Sequence, residues 1–174
     1  CALAELYGIF LYANIFDLKQ IRIRTELASV AKRIIMLIEK VFNVHIQIQN
    51  IGQRLSIEIN DNKLLEKIMT EFGYDTKPYI SYPLNRNMVE QDCCAAAFLR
   101  GVFLISGSVA SPDKKSHLEI KCSHIALCRQ VISLMLDLGI EPKMLTRQNS
   151  GVIYLKGTAA IEDFLTCMGA SLCA

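Results

Sequence analysis

"AFLRGVFLISGSV", residues 97–109, is an apolar helical run that breaks into a turn, and the chain contains it twice. Near the start, "AELYGIFLYANIF", residues 4–16, has the same pattern, with Leu6-Tyr7-Gly8-Ile9-Phe10-Leu11 set against Leu99-Arg100-Gly101-Val102-Phe103-Leu104. Pairing Cys1-Ala2 with Cys94-Ala95 sets an offset of 93, under which Ala4, Leu6, Gly8, Phe10 and Leu11 match Ala97, Leu99, Gly101, Phe103 and Leu104. Self-similarity of this kind decides an architecture before any single element does.

The repeat extends outward from these two segments. "LLEKIMTEFG" (64–73) matches "AIEDFLTCMG" (160–169), with Glu66 over Glu162 and both glycines in register. "SVAKRIIMLIEKVF" matches "ALCRQVISLMLDLG" in apolar spacing. The chain therefore divides into a first repeat, 1–73, a joint, 74–93, carrying Pro78, Pro83 and Asn87, and a second repeat, 94–174.

Each copy reads as αββαββα. A first helix reaches about Tyr12 or Ile105, then comes a short strand and a turn at "FDLKQ" or "SPDKK". "IRIRT" and "HLEIK" alternate apolar and polar residues, as half-buried strands do. Amphipathic helices are expected over 26–42 and 124–138. The pairs "VHIQIQN" with "RLSIEI" and "PKMLTR" with "GVIYLK" read as hairpins, and a closing helix ends at Gly73 or Gly169 in a left-handed cap. The class is α+β with a pseudo-two-fold and two antiparallel sheets.

The chain has 174 residues, 52% of them apolar, and a net charge of +2, so any basic surface must come from placement and not from excess. Seven cysteines are present, but no pair has the close Cys/His spacing of a zinc site, and buried reduced thiols of a cytosolic protein are the expectation. The longest apolar run, 93–110, is broken by Arg100 and Gly107, so it reads as a core helix and not a membrane span.

In both copies a small residue stands four before the glycine, Ala4 before Gly8 and Ala97 before Gly101, on one helical face. Two faces stripped of bulk predict a helix–helix seam. This duplicated Leu-x-Gly helix followed by ββαββα resembles the LAGLIDADG homing endonucleases, whose seam helices end in metal-binding acids and whose two sheets straddle DNA. "CALAELYGIFLYANI", "CCAAAFLRGVFLISGSVASPDKKSHLEIK" and "TRQNSGVIYLKGTAAIEDFLTCMGA" are more specifically similar to the WhiA family of bacterial transcription regulators of sporulation and cell division. That resemblance implies a cytoplasmic, nucleoid-associated protein whose C-terminal helix-turn-helix domain is absent from this chain.

Laying the LAGLIDADG motif on residues 6–14 and 99–107 puts its last acid on Ala13 and Ser106. Mg²⁺-dependent phosphodiester cleavage needs anionic oxygen ligands. A methyl group and a hydroxyl do not supply them, so no catalytic residue, metal or cofactor is expected. Asp17 and Asp113 occupy matching places and read as turn residues, whose carboxylates bond nearby backbone N–H groups.

Alternation then assigns a binding face. Arg22, Arg24, Gln47, Gln49 and Arg54 of the first repeat point away from the helices, together with His45, Ser56 and Glu58. So do His117, Glu119, Lys121, Tyr154 and Lys156 of the second, with Lys114 and Lys115 in one turn and Arg147 near another. Arg, Lys and Gln on strands suit phosphate and base-edge contact with double-stranded DNA. A solvated sheet of mixed charge is equally polar, and Glu58 and Glu119 oppose phosphate. The second function is therefore a protein-interaction module facing the transcription machinery, such as a sigma factor.

Overall fold

The computed structural model describes residues 1–75, 77–110 and 117–170 and, within them, every side chain but that of Arg147. Two copies of one unit follow each other. The first comprises α1 (Ala2–Leu11), β1 (Ile15–Phe16), β2 (Ile21–Thr25), α2 (Ala28–Phe42), β3 (Gln49–Ile51), β4 (Arg54–Ile59) and α3 (Asn62–Glu71). After a single 3-10 turn at Arg86–Val89, the second comprises α4 (Asp92–Ser106), β5 (Gly107–Val109), β6 (His117–Cys122), α5 (Ile125–Asp137), β7 (Lys143–Arg147), β8 (Ser150–Lys156) and α6 (Thr158–Cys167). The sheets are ordered β1-β2-β4-β3 and β5-β6-β8-β7, antiparallel throughout.

Local chemistry explains the elements. In α2, Val30, Ala31, Ile34, Leu37, Ile38 and Phe42 recur at helical spacing and are all buried, and Asn43 ends the helix in a left-handed conformation. The Asp61 carboxylate accepts a hydrogen bond from Leu64 N–H at 2.8 Å and so caps α3. Both closing helices end alike. Gly73 and Gly169 adopt φ of +76° and +82°, and the flanking N–H groups bond back to Thr70 and Met69, or to Thr166 and Leu165.

The two units share one hydrophobic core, and its centre is the α1–α4 contact. A β-carbon on Gly8 would lie 3.1 Å from Val102 N and collide with the Phe98 carbonyl oxygen. One on Gly101 would lie 3.0 Å from Ile9 N and collide with the Glu5 carbonyl oxygen. Segments 5–9 and 98–102 are equivalent under the repeat, and Cys1 at the start of α1 lies beside Cys93 and Cys94 at the start of α4, so the helices run parallel about a pseudo-two-fold axis. Ala4 and Ala97 are buried on the same faces.

The joint is docked. The Tyr7 hydroxyl donates to that of Tyr74 at 2.6 Å and accepts from Asn85 N–H at 2.7 Å, while the Tyr74 hydroxyl donates to the Pro83 carbonyl at 2.6 Å. Burial pushes both phenols up from their ordinary pKa.

Three expectations need correction. Residues 44–48 are not strand: Val44, Ile46 and Ile48 are half-buried against the core, but β3 begins at Gln49, where pairing with β4 starts. Ser56 is fully buried, although it is on the outer register of β4 between Arg24 and Gln49. Its hydroxyl donates to Glu58 at 3.2 Å. Finally, Cys1 and Cys93 are exposed, because they sit where the seam helices begin at the surface; among the described residues Cys122 and Cys128 are the buried thiols.

Candidate nucleic-acid interface

The seam helices bring their C-terminal ends to the same side of the molecule. Ala13 lies two residues past α1 and offers only a methyl group. Next to it, Asn14 stands where the motif has glycine, and its side-chain oxygen accepts from Arg24 N–H at 2.7 Å. Ser106 closes α4, and its hydroxyl donates to the Val102 carbonyl at 2.9 Å, bonding back into its own helix. The 170 Å³ cleft beside Ala13 is lined by Asn14, Tyr82, Ser123 and His124 among others, with no carboxylate among the lining residues. Asp17 sits in the β1–β2 turn, where its Oδ1 accepts from Lys19 and Gln20 N–H, each at 2.8 Å. Asp113 lies outside the described residues.

On the outer face of the first sheet, register places each cation beside a partner. Arg22 stands opposite Glu58, with Nε 3.0 Å from Oε1, and its other nitrogen reaches Gln20 at 3.2 Å. Arg54 pairs with Glu26 at 3.2 Å. Arg24 is exposed and has no ion-pair partner among the described residues. Gln49 is exposed on β3, and Gln47 is exposed just before it.

On the second sheet, His117, Glu119 and Lys121 share the outer face of β6 with Lys156 and Tyr154 of β8. His117 lies 3.5 Å from Glu119, and the Lys156 ammonium lies 5.3 Å from the Tyr154 ring centre. Lys121 is exposed with no ion-pair partner among the described residues. Strand pairing makes Lys121 the repeat mate of Arg24, since Ile23 and Ile120 occupy matching inner positions. A shallow dish of about 690 Å³, lined by His117, Glu119, Leu145, Tyr154 and Lys156, marks this face. Lys114 and Lys115 lie outside the described residues, and Arg147 ends β7.

Two arrangements escaped the sequence reading. Glu5, fully buried on α1, accepts two hydrogen bonds from Arg33 at 2.9 and 2.7 Å and one from Arg100 of α4 at 2.8 Å. Burial alone pushes the Glu5 carboxyl up; the hydrogen bonds and charges of the two guanidinium groups outweigh it and hold it below the ordinary value. Arg100 also donates to the Met168 carbonyl at 2.8 Å, so this ion cluster fastens α1, α2, α4 and the end of α6. The one signal in the sequence was an arginine interrupting an apolar run. The second arrangement is a group of three thiols, those of Cys1, Cys93 and Cys94, at the opposite end of the seam. The repeat offset, not linear spacing, was the signal for it.

A parallel seam with glycines at backbone contact, flanked by two four-stranded antiparallel sheets, defines a LAGLIDADG-fold protein. Homing endonuclease I-DmoI, solved in complex with DNA and Mn, superposes with a TM-score of 0.67 at 17% identity, covering 99% of this chain and 97% of that one. Full-length DUF199/WhiA from Thermatoga maritima gives 0.70 at 19% identity, over 97% of this chain and 55% of that one. Residues 95–173 match the family model of the WhiA LAGLIDADG-like domain. The probable cell division protein WhiA of Ruminiclostridium cellulolyticum is 29% identical over 98% of this chain and 58% of its own length. That of Carboxydothermus hydrogenoformans is 31% identical over 87% of this chain and 50% of its own. The chain is thus similar to the WhiA family, over residues 95–173 to its LAGLIDADG-like domain, and spans about half the length of these relatives. Among the described residues no helix is long and apolar enough to cross a membrane.

Proposed function

We propose that this chain is the DNA-binding, non-cleaving scaffold of a bacterial transcription regulator of sporulation and cell division, acting at the nucleoid. The observation that carries the loss of cleavage is the pair of seam ends, where a methyl group and a self-bonded hydroxyl stand in place of two metal-binding carboxylates. DNA contact is supported by Arg24 and Lys121, exposed cations with no ion-pair partner among the described residues, at equivalent positions of the two outer faces. Together with Gln47, Gln49, Arg54, His117 and Lys156 they form the proposed contact surface. Arg22 contributes less, because Glu58 already holds it.

The test has two arms. Duplex binding titrated against salt should weaken steeply, with log affinity falling linearly in log salt, and the Arg24→Ala, Lys121→Ala double variant should flatten that dependence. Supercoiled plasmid incubated with Mg²⁺ should stay intact. Nicking by the purified chain would overturn the non-cleaving assignment, and an unchanged salt dependence in the double variant would overturn the contact surface. A second reading, a module that docks a transcription protein such as a sigma factor, is favoured by the Arg22–Glu58 and Arg54–Glu26 pairs, which cancel charge on the first sheet. No binding of duplex at low salt would select it.

A further inference from the structure

The three thiols at the start of the seam are there because of the repeat. Cys1 is the residue that precedes α1, and its repeat mate Cys94 sits in the first turn of α4 beside Cys93. Parallel helices related by a pseudo-two-fold axis bring equivalent positions near their ends together across that axis. The sulfur atoms of Cys1, Cys93 and Cys94 all lie within 4.8 Å of one another, although Cys1 and Cys93 are 92 positions apart in the chain. Among the described residues they are the one group of three histidine, cysteine or acidic side chains with ligand atoms so close.

Tetrahedral zinc binds thiolate sulfur at about 2.3 Å, which sets any two sulfurs roughly 3.8 Å apart. Closing from the observed spacing takes a movement of about 1 Å or less per side chain, available by rotation of short side chains at the surface. Cys1 and Cys93 are exposed and Cys94 is half-buried, so a cation can enter and a fourth position stays open. The single bond to displace is weak, from the Cys93 thiol to the Gln91 side-chain oxygen at 3.7 Å.

The surroundings suit a thiolate–metal group. Among the described residues no side chain caps the N-terminus of α1 or α4, and the first N–H groups of two parallel helices end at the same place. Three thiolates around one divalent ion carry a net charge of −1, which the positive ends of two helices stabilise.

We propose that Cys1, Cys93 and Cys94 form a binding site for a thiophilic divalent metal of the zinc class, with an open fourth position. Each thiol gives up its proton to solvent as its sulfur bonds the metal, so binding tightens as pH rises. The bound ion pins the start of the first repeat to the start of the second, at the end of the seam remote from Ala13 and Ser106.

Co²⁺ serves as the spectroscopic probe. Added to the reduced 174-residue chain, it should give one equivalent of a species with thiolate-to-cobalt charge-transfer absorption and the intense visible bands of tetrahedral coordination, all removed by Zn²⁺. Cys1→Ser, Cys93→Ser and Cys94→Ser should each diminish the charge-transfer band, and the triple variant should lose it. Cys167→Ser, on α6, should retain it. Zn²⁺ should raise the Tm of the parent chain and leave that of the triple variant unmoved. Absence of the band in the folded parent, its persistence in the triple variant, or its loss in Cys167→Ser would overturn the site.

Discussion

At Gly101 a single carbon atom decides whether the two halves can meet. Alanine normally improves a helix by about 1 kcal/mol over glycine, but here the added methyl would collide with the Glu5 carbonyl oxygen, and the obstacle is backbone. Overpacking of this kind costs about 1–3 kcal/mol, and a rigid neighbour belongs at the upper end. Gly101→Ala is expected to lose about 2 kcal/mol net, seen as a fall of about 5 °C in Tm, and Gly8→Ala should behave alike. Glu5 offers a second test. Its carboxyl is held below the ordinary value of 4.5, so its contribution to stability is complete above that value and is lost as pH falls through the lower folded one. Glu5→Gln should cost about 3 kcal/mol at neutral pH, at the lower end of that range because Arg33 and Arg100 reach water and are rehydrated. Thermal unfolding between about pH 6 and pH 3 should then show a smaller acid-induced fall for the variant than for the parent chain.

Elements were legible where the signal is local. Strict alternation in "IRIRT" and "HLEIK" located β2 and β6 and their inner faces, and Gly73 and Gly169 marked helix ends that do adopt positive φ. "VHIQIQN" alternates equally well, yet only its last part is paired: alternation reports which face is buried, not whether a partner strand lies alongside. Charge cancellation was illegible for the same reason, since Arg22 meets Glu58 through a register set between strands 36 residues apart. Ser56 shows the converse, a polar residue on the outer register that longer neighbours cover. The prediction at this scale concerns β4. Glu58→Gln removes the anion beside Arg22 and should strengthen duplex binding while steepening its salt dependence by up to about one unit of slope. Arg24→Ala should lower that slope by about one. Fluorescence anisotropy across a salt series measures both, and equal slopes in parent and Glu58→Gln would show that Arg22 does not reach phosphate.

Over the whole molecule the two repeats are equivalent in backbone and divergent in role. Tyr7 and Arg100 are mates under the offset of 93, yet Tyr7 holds the joint through Asn85 while Arg100 holds Glu5 and the end of α6. A single chain can place different residues at equivalent positions, so its two sheets present different faces, as Arg22 with Glu58 and their counterparts Glu119 with Tyr154 show. The same economy leaves neither half self-sufficient. Separating the repeats would expose Ala4 and Ile9 on one side and Ala97, Phe98 and Val102 on the other, which lie on the glycine faces of α1 and α4 and are all buried in the intact chain. At about 1.5–3 kcal/mol for each of Ile9, Phe98 and Val102, the loss is of the order of the total stability of a typical domain, about 5–15 kcal/mol. Residues 94–170 alone should therefore yield no folded monomer: circular dichroism and sedimentation should find the fragment either unfolded or paired with a second copy through α4, its glycine face meeting itself. Adding residues 1–93 in trans should restore one folded heterodimer, because the face that α4 lacks is carried by α1. A folded monomer of the isolated second repeat at micromolar concentration would mean that the sheet and its own helices suffice, and that the seam is an interface between two domains instead of the centre of one.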